Sequence, residues 1–249
     1  MKQIILLLMI LLAASANLIG DNHSANETKV FEAFFTKVKS GKVHRFREIA
    51  HKYWFPTDEA VKRLAVPIDP TTGYWDHVVL FYRTEGLKKL GHTDKVSLKW
   101  IEHANKQLGE SERAKLDKEF QSLIIDSKTQ LFSLVGDLPK LTPKYYNLNG
   151  EYSPVYSYFT KFKPGSNPKA FEIMDEVVEM SNESPVIFRS ISGDIDQISI
   201  WPVTDSFSRV TQGPSNEMKE FIKSPIGRSF FDLVEDLGLQ IGSVRWKWK

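Results

Sequence analysis

The chain has no cysteine among its 249 residues. Disulfides, thiolate metal sites and a cysteine nucleophile are therefore excluded. It also lacks Gly-x-Gly-x-x-Gly, a phosphate-binding Gly-Lys-Ser/Thr loop and Gly-x-Ser-x-Gly. Those absences set aside the common nucleotide enzymes and serine hydrolases. No Asp/Asn-rich run has the spacing of a calcium loop. Charge of one sign is missing too: 33 Lys and Arg stand against 31 Asp and Glu, a formal net charge of +2. Such a balance makes no case for nucleic acid or an anionic membrane as partner.

Long apolar runs are absent except at the amino terminus. Lys2 precedes the run Ile4 to Leu12, and Ala14-Ser15-Ala16 follows with small residues suited to cleavage. The run is short for a membrane span, which needs about 20 apolar residues. Residues 1–16 therefore read as a secretory signal peptide. The expected location is the bacterial periplasm or the exterior, with no stable membrane anchor after cleavage. No cysteine follows the run, so a lipid-anchored form is not expected. The rest must be held by its core alone, and 41% apolar and 12% aromatic residues are enough for one.

What the chain does contain is a repeat of domain size. Phe34-Phe35-Thr36-Lys37-Val38-Lys39-Ser40-Gly41 returns 124 residues later as Tyr158-Phe159-Thr160-Lys161-Phe162-Lys163-Pro164-Gly165. His77 to Phe81 aligns with Gln197 to Trp201, and Phe120 to Val135 with Leu233 to Trp248. Hydrophobic periodicity in the second copy predicts strand (155–163), helix from Asn167, strand (186–192), strand (197–203), helix (218–237) and strand (239–248). Gly193-Asp194 suits the hairpin between its middle strands, and Gly238 is read as the end of the last helix. The first copy fits the same order, with strands at 30–39, 74–82 and 130–135, a helix from Val43, and helical residues 95–125 broken near Gly109. Its second strand is weak and is expected within 59–68. This reading gives a flexible lead-in (17–28), a first unit (29–137), a linker rich in Pro, Tyr and Asn (138–154) and a second unit (155–249).

The order strand, helix, strand, strand, helix, strand is the ferredoxin-like unit of an α+β protein. With the two Phe-Thr-Lys-x-Lys-x-Gly strands, the Gly193-Asp194 hairpin and the terminal strand, the chain resembles the dimeric α/β-barrel superfamily in a tandem-fused form. The resemblance implies two units packed sheet to sheet as a pseudo-dimeric barrel. It spans several functions: cofactor-free monooxygenases, haem-degrading or haem-binding proteins, lactone isomerases and stress-related proteins. Fold alone does not choose among them.

Candidate site residues come from strand alternation. Val78, Leu80 and Tyr82 share one face, while Trp75, His77, Val79 and Phe81 share the other. In the repeat, Ile198, Ile200 and Pro202 oppose Gln197, Ser199 and Trp201. The mixed faces are expected to line the space between the sheets, where aromatic and polar groups would hold a small apolar or aromatic ligand. Trp75, His77, Phe81, Gln197, Ser199 and Trp201 form that candidate site. Arg189, near the hairpin, suits a carboxylate or a surface ion pair. His77 is the weak catalytic candidate, able to move a proton or, where the resemblance admits haem, to bind its iron.

His44, Glu48 and His51 share a helical face opposite the stripe Val43, Phe46, Ala50 and Tyr53. They are expected in water, and no metal site is expected. The closing Val244-Arg245-Trp246-Lys247-Trp248-Lys249 alternates as an edge strand guarded by Lys and Arg, not as a nucleic-acid site. Three functional readings stay open: ligand binding between the sheets without a cofactor, an oxygenase-like or haem-handling enzyme using His77, and a structural or partner-binding role. The expected state is a monomer or weak homo-oligomer.

Overall fold

The computed structural model describes residues 28–70, 72–84, 86–89, 95–135, 153–180, 185–202 and 216–244. The expected signal peptide, nearly all of the lead-in and of the linker, and the tail from Arg245 lie outside these residues. Eight strands form one closed antiparallel barrel in the order β1-β3-β2-β8-β5-β7-β6-β4. The first half supplies β1 (Val30–Val38), β2 (Ala65–Pro70), β3 (His77–Tyr82) and β4 (Ile124–Val135). The second supplies β5 (Ser153–Phe162), β6 (Val186–Ser192), β7 (Gln197–Pro202) and β8 (Val234–Val244).

Helices cover the outside. In the first half, α1 (Val43–Ile49) runs through a π-helical turn (Ala50–Trp54) into α2 (Phe55–Ala60). After a short 3₁₀ turn (Gly86–Lys89) come α3 (Lys95–Leu108) and α4 (Glu110–Ser122). The second half has α5 (Asn167–Met180), α6 (Asn216–Lys223) and α7 (Pro225–Leu233).

Each half has the ferredoxin-like order, and the halves join edge to edge through β2–β8 and β4–β6. The barrel thereby closes within one chain and removes the sheet edges of its parts. The weak second strand of the first half is β2, shifted to 65–70. β4 begins at Ile124, where a helix was expected to continue, and β8 begins at Val234. Gly238 lies inside β8 opposite Phe159, rather than ending a helix. In both places pairing with the first strand of the half overrides helical periodicity, because each added residue completes a ladder hydrogen bond.

The repeat extends to single hydrogen bonds. β4 carries one extra residue, Ile125, opposite Lys37/Val38 of β1, and β8 carries Glu235 opposite Lys161/Phe162 of β5. On the other side of β1 and β5, an aspartate stands just before β3 and just before β7. Asp76 Oδ2 accepts from the Val38 N–H at 2.9 Å, and Asp196 Oδ2 from the Phe162 N–H at 2.7 Å. Their own N–H groups donate to Thr36 O at 3.0 Å and Thr160 O at 2.9 Å. Val38 and Phe162 lie past the last pairs with β3 and β7, so their N–H groups have no ladder partner on that side, and the carboxylate of the residue preceding each strand supplies one.

The core divides by face. Phe31, Phe35, Ile68, Leu80, Phe188 and Ile198 belong to one cluster built almost wholly from strands of both halves, which occupies the barrel interior. The helices pack on the outer face through separate clusters. Val78, Leu80, Ile198 and Ile200 therefore point inward, and the mixed faces point out beneath the helices. This reverses the expected orientation. A closed eight-stranded barrel has an interior just wide enough for side chains to fill. The apolar faces of β3 and β7 meet there with few polar groups, Gln130 and Ser157 among them, and the mixed faces meet the helices.

Candidate functional site: a carboxylate shared by two histidines

Asp69 lies near the end of β2, and the following Pro70 favours extended backbone at this position. Alternation sends Ile68 into the barrel and Asp69 outward beneath α1. His77 opens β3 next to it on the same face. Arg47 and His51 stand four residues apart on one side of the first helix. These four side chains converge.

Asp69 Oδ1 is 2.8 Å from His77 Nδ1, and Asp69 Oδ2 is 2.8 Å from His51 Nε2. Arg47 Nε stands 3.3 Å from Asp69 Oδ1. The Arg47 guanidinium also donates to Pro70 O at 2.6 Å and to Asp76 O at 2.9 Å, tying both ends of the β2–β3 connection to α1. Asp69 and His77 are buried, and His51 is the imidazole that reaches solvent, with 22% of its side chain exposed. Burial pushes the Asp69 carboxyl up, but the hydrogen bonds and charge of His51 and His77 outweigh it. The net result holds Asp69 well below the usual carboxylate range.

An ionised carboxylate only accepts, so each imidazole donates to it. His77 is thereby the Nδ1–H tautomer and His51 the Nε2–H tautomer. The basic nitrogen left on His51 is Nδ1. A carboxylate behind an imidazole orients the ring and stabilises the imidazolium that forms when it takes a proton.

The π-helical turn contains His51. The Phe55 N–H reaches back five residues to Ala50 O. Pro56 supplies the cause: it has no N–H to donate and its ring crowds the carbonyl of Lys52. The helix widens by one residue there, a feature frequent at functional sites. His44 stays exposed, whereas His51 is not in open water as expected but faces Asp69.

The other candidate residues separate. Phe81 packs edge-on to Phe34 at 5.7 Å, with the Arg63 guanidinium 3.8 Å over its ring. Trp75 reaches the end of the barrel interior, 5.7 Å from Phe35. Gln197, Ser199 and Trp201 lie beneath the helices of the second half. Arg189 donates to Phe171 O at 3.2 Å and Asp175 Oδ1 at 2.5 Å, an ion pair between β6 and α5. The expected set is therefore not one site.

The repeat maps the first cluster onto the second half. His77 lies across from Thr36, as Gln197 does from Thr160. Arg189 pairs with Gln197 in register, in the place where Asp69 neighbours His77. His51 corresponds to Asp175, and Arg47 to Phe171. The second half thus carries Asp175, Arg189 and Gln197 where the first carries His51, Asp69 and His77. Both polar ends of the Gln197 amide are buried without a hydrogen-bond partner.

Asp69 and His51 were missed as members of a site in the sequence. The available signal was Asp69-Pro70 ending one strand shortly before a strand that opens on histidine.

The haem that the resemblance admits does not fit at His77. Its ring lies between Phe46 at 5.4 Å and Phe55 at 5.9 Å, and all three side chains are buried. Such packing leaves no opening for a macrocycle at bonding distance. Among the described residues no group of His, Asp and Glu is arranged to hold a metal ion.

The sequence matches no protein-family model and no curated protein. Among solved structures, the chain is similar to a candidate monooxygenase from Fusobacterium nucleatum subsp. nucleatum, with TM-score 0.52, 10% identity, and coverage of 88% of this chain and 93% of that one. It is also similar to an anthrone oxidase-like protein, with TM-score 0.51, 8% identity, and coverage of 88% and 92%. A mutant chlorite dismutase from Candidatus Nitrospira defluvii follows at TM-score 0.49, 10% identity, and coverage of 88% and 92%. The fold is that of the dimeric α/β barrels. Here a single chain carries both halves of the barrel.

Proposed function

We propose that this protein is an enzyme of the cofactor-free oxygenase kind, which takes a proton from an aromatic or enolic substrate and lets the resulting carbanion react with dioxygen. The observation that carries this reading is the Asp69 carboxylate shared by His51 and His77. His51, the member at the surface, receives the proton on Nδ1, and Asp69 stabilises the imidazolium. His77 and Arg47 hold Asp69 in place. A substrate CH2 so treated becomes a carbonyl, with one atom of dioxygen in the product and the other leaving as water. The two similar structures above TM-score 0.5 carry names from oxygen chemistry, which supports the choice of co-substrate.

The test is dioxygen uptake with anthrone as probe. Wild type should consume it, and His51→Ala should lose about 100-fold or more, the usual weight of a general base. No uptake by wild type, or full activity in His51→Ala, would overturn the reading.

The second half favours a competing structural reading. At the same positions, Arg189 and Asp175 join α5 to β6 with no imidazole. If His51→Ala lowers stability and changes no turnover, the first-half cluster is also a staple.

We infer that the protein is exported and works as a monomer. Lys2, the Ile4 to Leu12 run and Ala14-Ser15-Ala16 support export, and closure of the barrel within one chain supports the monomer. Cell fractionation and native mass measurement test both.

A further inference from the structure

A second buried carboxyl lies away from the histidine cluster. Asp58, on α2, is 4% exposed, and its Oδ1 has no hydrogen-bond partner. Arg63 approaches it only to 3.7 Å. The helix above it is α3. Trp100 lies beside the carboxyl, yet its indole N–H makes no hydrogen bond of good geometry, and His103 Nε2, one turn along the same helix, is also buried and unpaired.

Two polar atoms without partners, Asp58 Oδ1 and Trp100 Nε1, therefore lie at one helix contact, and a third, His103 Nε2, is buried one turn further along α3. Each costs free energy that docking of α3 must offset. The apolar side of that contact is thin. Ala104 is the one fully buried residue of α3, with Trp100 and Leu108 partly buried against the cluster around Trp54 and Leu116. Leu98 and Ile101 point into solvent, at 56% and 38% exposure. A hydrogen bond from Arg113 to Asn105 at 2.5 Å ties α3 to α4. By contrast, Arg45 and Glu119 pair bidentately to fix α4 on α1, at 2.7 and 2.8 Å.

We propose that α3 is a pH-governed latch, docked over Asp58 while that carboxyl is protonated and loosened as it ionises. Undocking gives the carboxylate, the Trp100 indole and His103 access to water, which removes all three unpaired groups at once. The charged groups around Asp58 are Arg63, which opposes the change, and Glu59, which favours it. Burial is the main influence and raises the Asp58 carboxyl from 3.8 to about 7, against the pull of Arg63 and Trp100. A raised carboxyl stabilises the docked state below its free value of 3.8, and that contribution is lost as pH rises towards 7. Because Trp100 rests on Trp54, 5.3 Å away at the end of the π-helical turn, the latch covers the segment that carries His51. The latch stands independently of the oxygenase reading.

The experiment is hydrogen exchange on the full chain from pH 4 to 8, corrected for intrinsic exchange. Protection of α3 amides should fall by about tenfold per pH unit up to pH 7 and then level off, while β1 amides stay protected. Asp58→Asn should remove that dependence. Flat α3 protection in wild type, an unchanged slope in Asp58→Asn, or an equal loss in β1 would overturn the latch. Should Asp58→Asn not fold, the Asp58 carboxyl carbon is followed by NMR in wild type, where a midpoint near 4 overturns the proposal and one near 7 supports it.

Discussion

Asp69 and Arg189 occupy equivalent positions in the two halves of the barrel and carry opposite charges. Asp69 is bridged by two histidines, while Arg189 reaches Asp175 and lies 4.5 Å from the Phe171 ring. Each places a charge on the outer face of a strand at the seam between the halves and pairs it with a side chain from the first helix of its half. Both halves thus place a paired charge at this position, of opposite sign in the two. The two staples differ in chemistry: one joins a carboxylate to two imidazoles, the other a guanidinium to a carboxylate.

Removing the shared carboxylate should be costly. Asp69→Ala leaves Arg47 and two imidazole N–H groups facing a buried gap, at about 3 kcal/mol or more. The effect depends on pH. A carboxyl depressed in the folded state stabilises it above the unfolded value of about 4 and loses that contribution as pH falls through the folded value. Urea unfolding at pH 7 should show the full gap between wild type and Asp69→Ala. The gap should narrow steadily below about pH 4. An equal gap at pH 7 and pH 2 would contradict the assigned charge state.

Asp76 and Asp196 should act separately. Asp76→Ala and Asp196→Ala each strand a backbone N–H that now meets a carboxylate. Each should cost about 2 kcal/mol, as bonds to charged groups do. They belong to different halves and share no partner, so the double variant should show the sum. Denaturant midpoints of the three variants measure it. A double variant no worse than one single would show the two sites to be coupled.

Gln197 invites a stabilising change. Its amide is fully buried with neither end hydrogen bonded. Gln197→Met keeps the unbranched shape and removes the unpaired groups, so the protein should gain about 1 to 2 kcal/mol. Thermal unfolding checks this. A loss of stability would mean the amide has a partner in solution, and would return Gln197 to the ligand-binding candidates.

Gly193 cannot take a side chain. Its φ is +122°, and an added Cβ would come within 1.8 Å of Gln130 Nε2. Gln130 cannot swing away cheaply, because its amide donates to Ser192 O and Ile195 O, each at 3.3 Å. Gly193→Ala should cost about 3 kcal/mol, from the strained backbone together with those bonds. A calorimetric scan showing an unchanged midpoint would refute this account of the hairpin.

Much of the architecture was legible because it depends on local rules. Asn167-Pro168 and the stripe Phe171, Met174, Val178 mark α5, and Gly193-Asp194 marks the β6–β7 hairpin. The Phe-Thr-Lys-x-Lys-x-Gly repeat exposes the duplication. β4 and β8 were expected to begin later, at Gln130 and Leu239. Ile124 and Val234 lie where helix and strand patterns overlap, and only the neighbouring β1 and β5 decide between them.

The candidate site was legible only in part. His77 was found, because a histidine in an apolar strand stands out. Asp69 and His51 were not. They are 8 and 26 residues from His77 in the chain, and nothing local says that a carboxylate before a proline will meet a helix widened by Pro56. Trp75, Phe81, Arg189, Gln197, Ser199 and Trp201 were grouped because alternation placed most of them on like faces, yet they divide among different clusters.

By itself, the sequence determined that two similar α+β units stand in tandem, since hydrophobic period, turn residues and the repeat are all local. It also determined that each inner strand has one apolar and one mixed face. Which face looks inward was decided by tertiary structure. Alternation is symmetric between the two sides of a sheet, and only closure creates a narrow interior that favours the apolar faces of β3 and β7. That same closure sends Asp69 and His77 outward beneath α1, where His51 and Arg47 can pair with them.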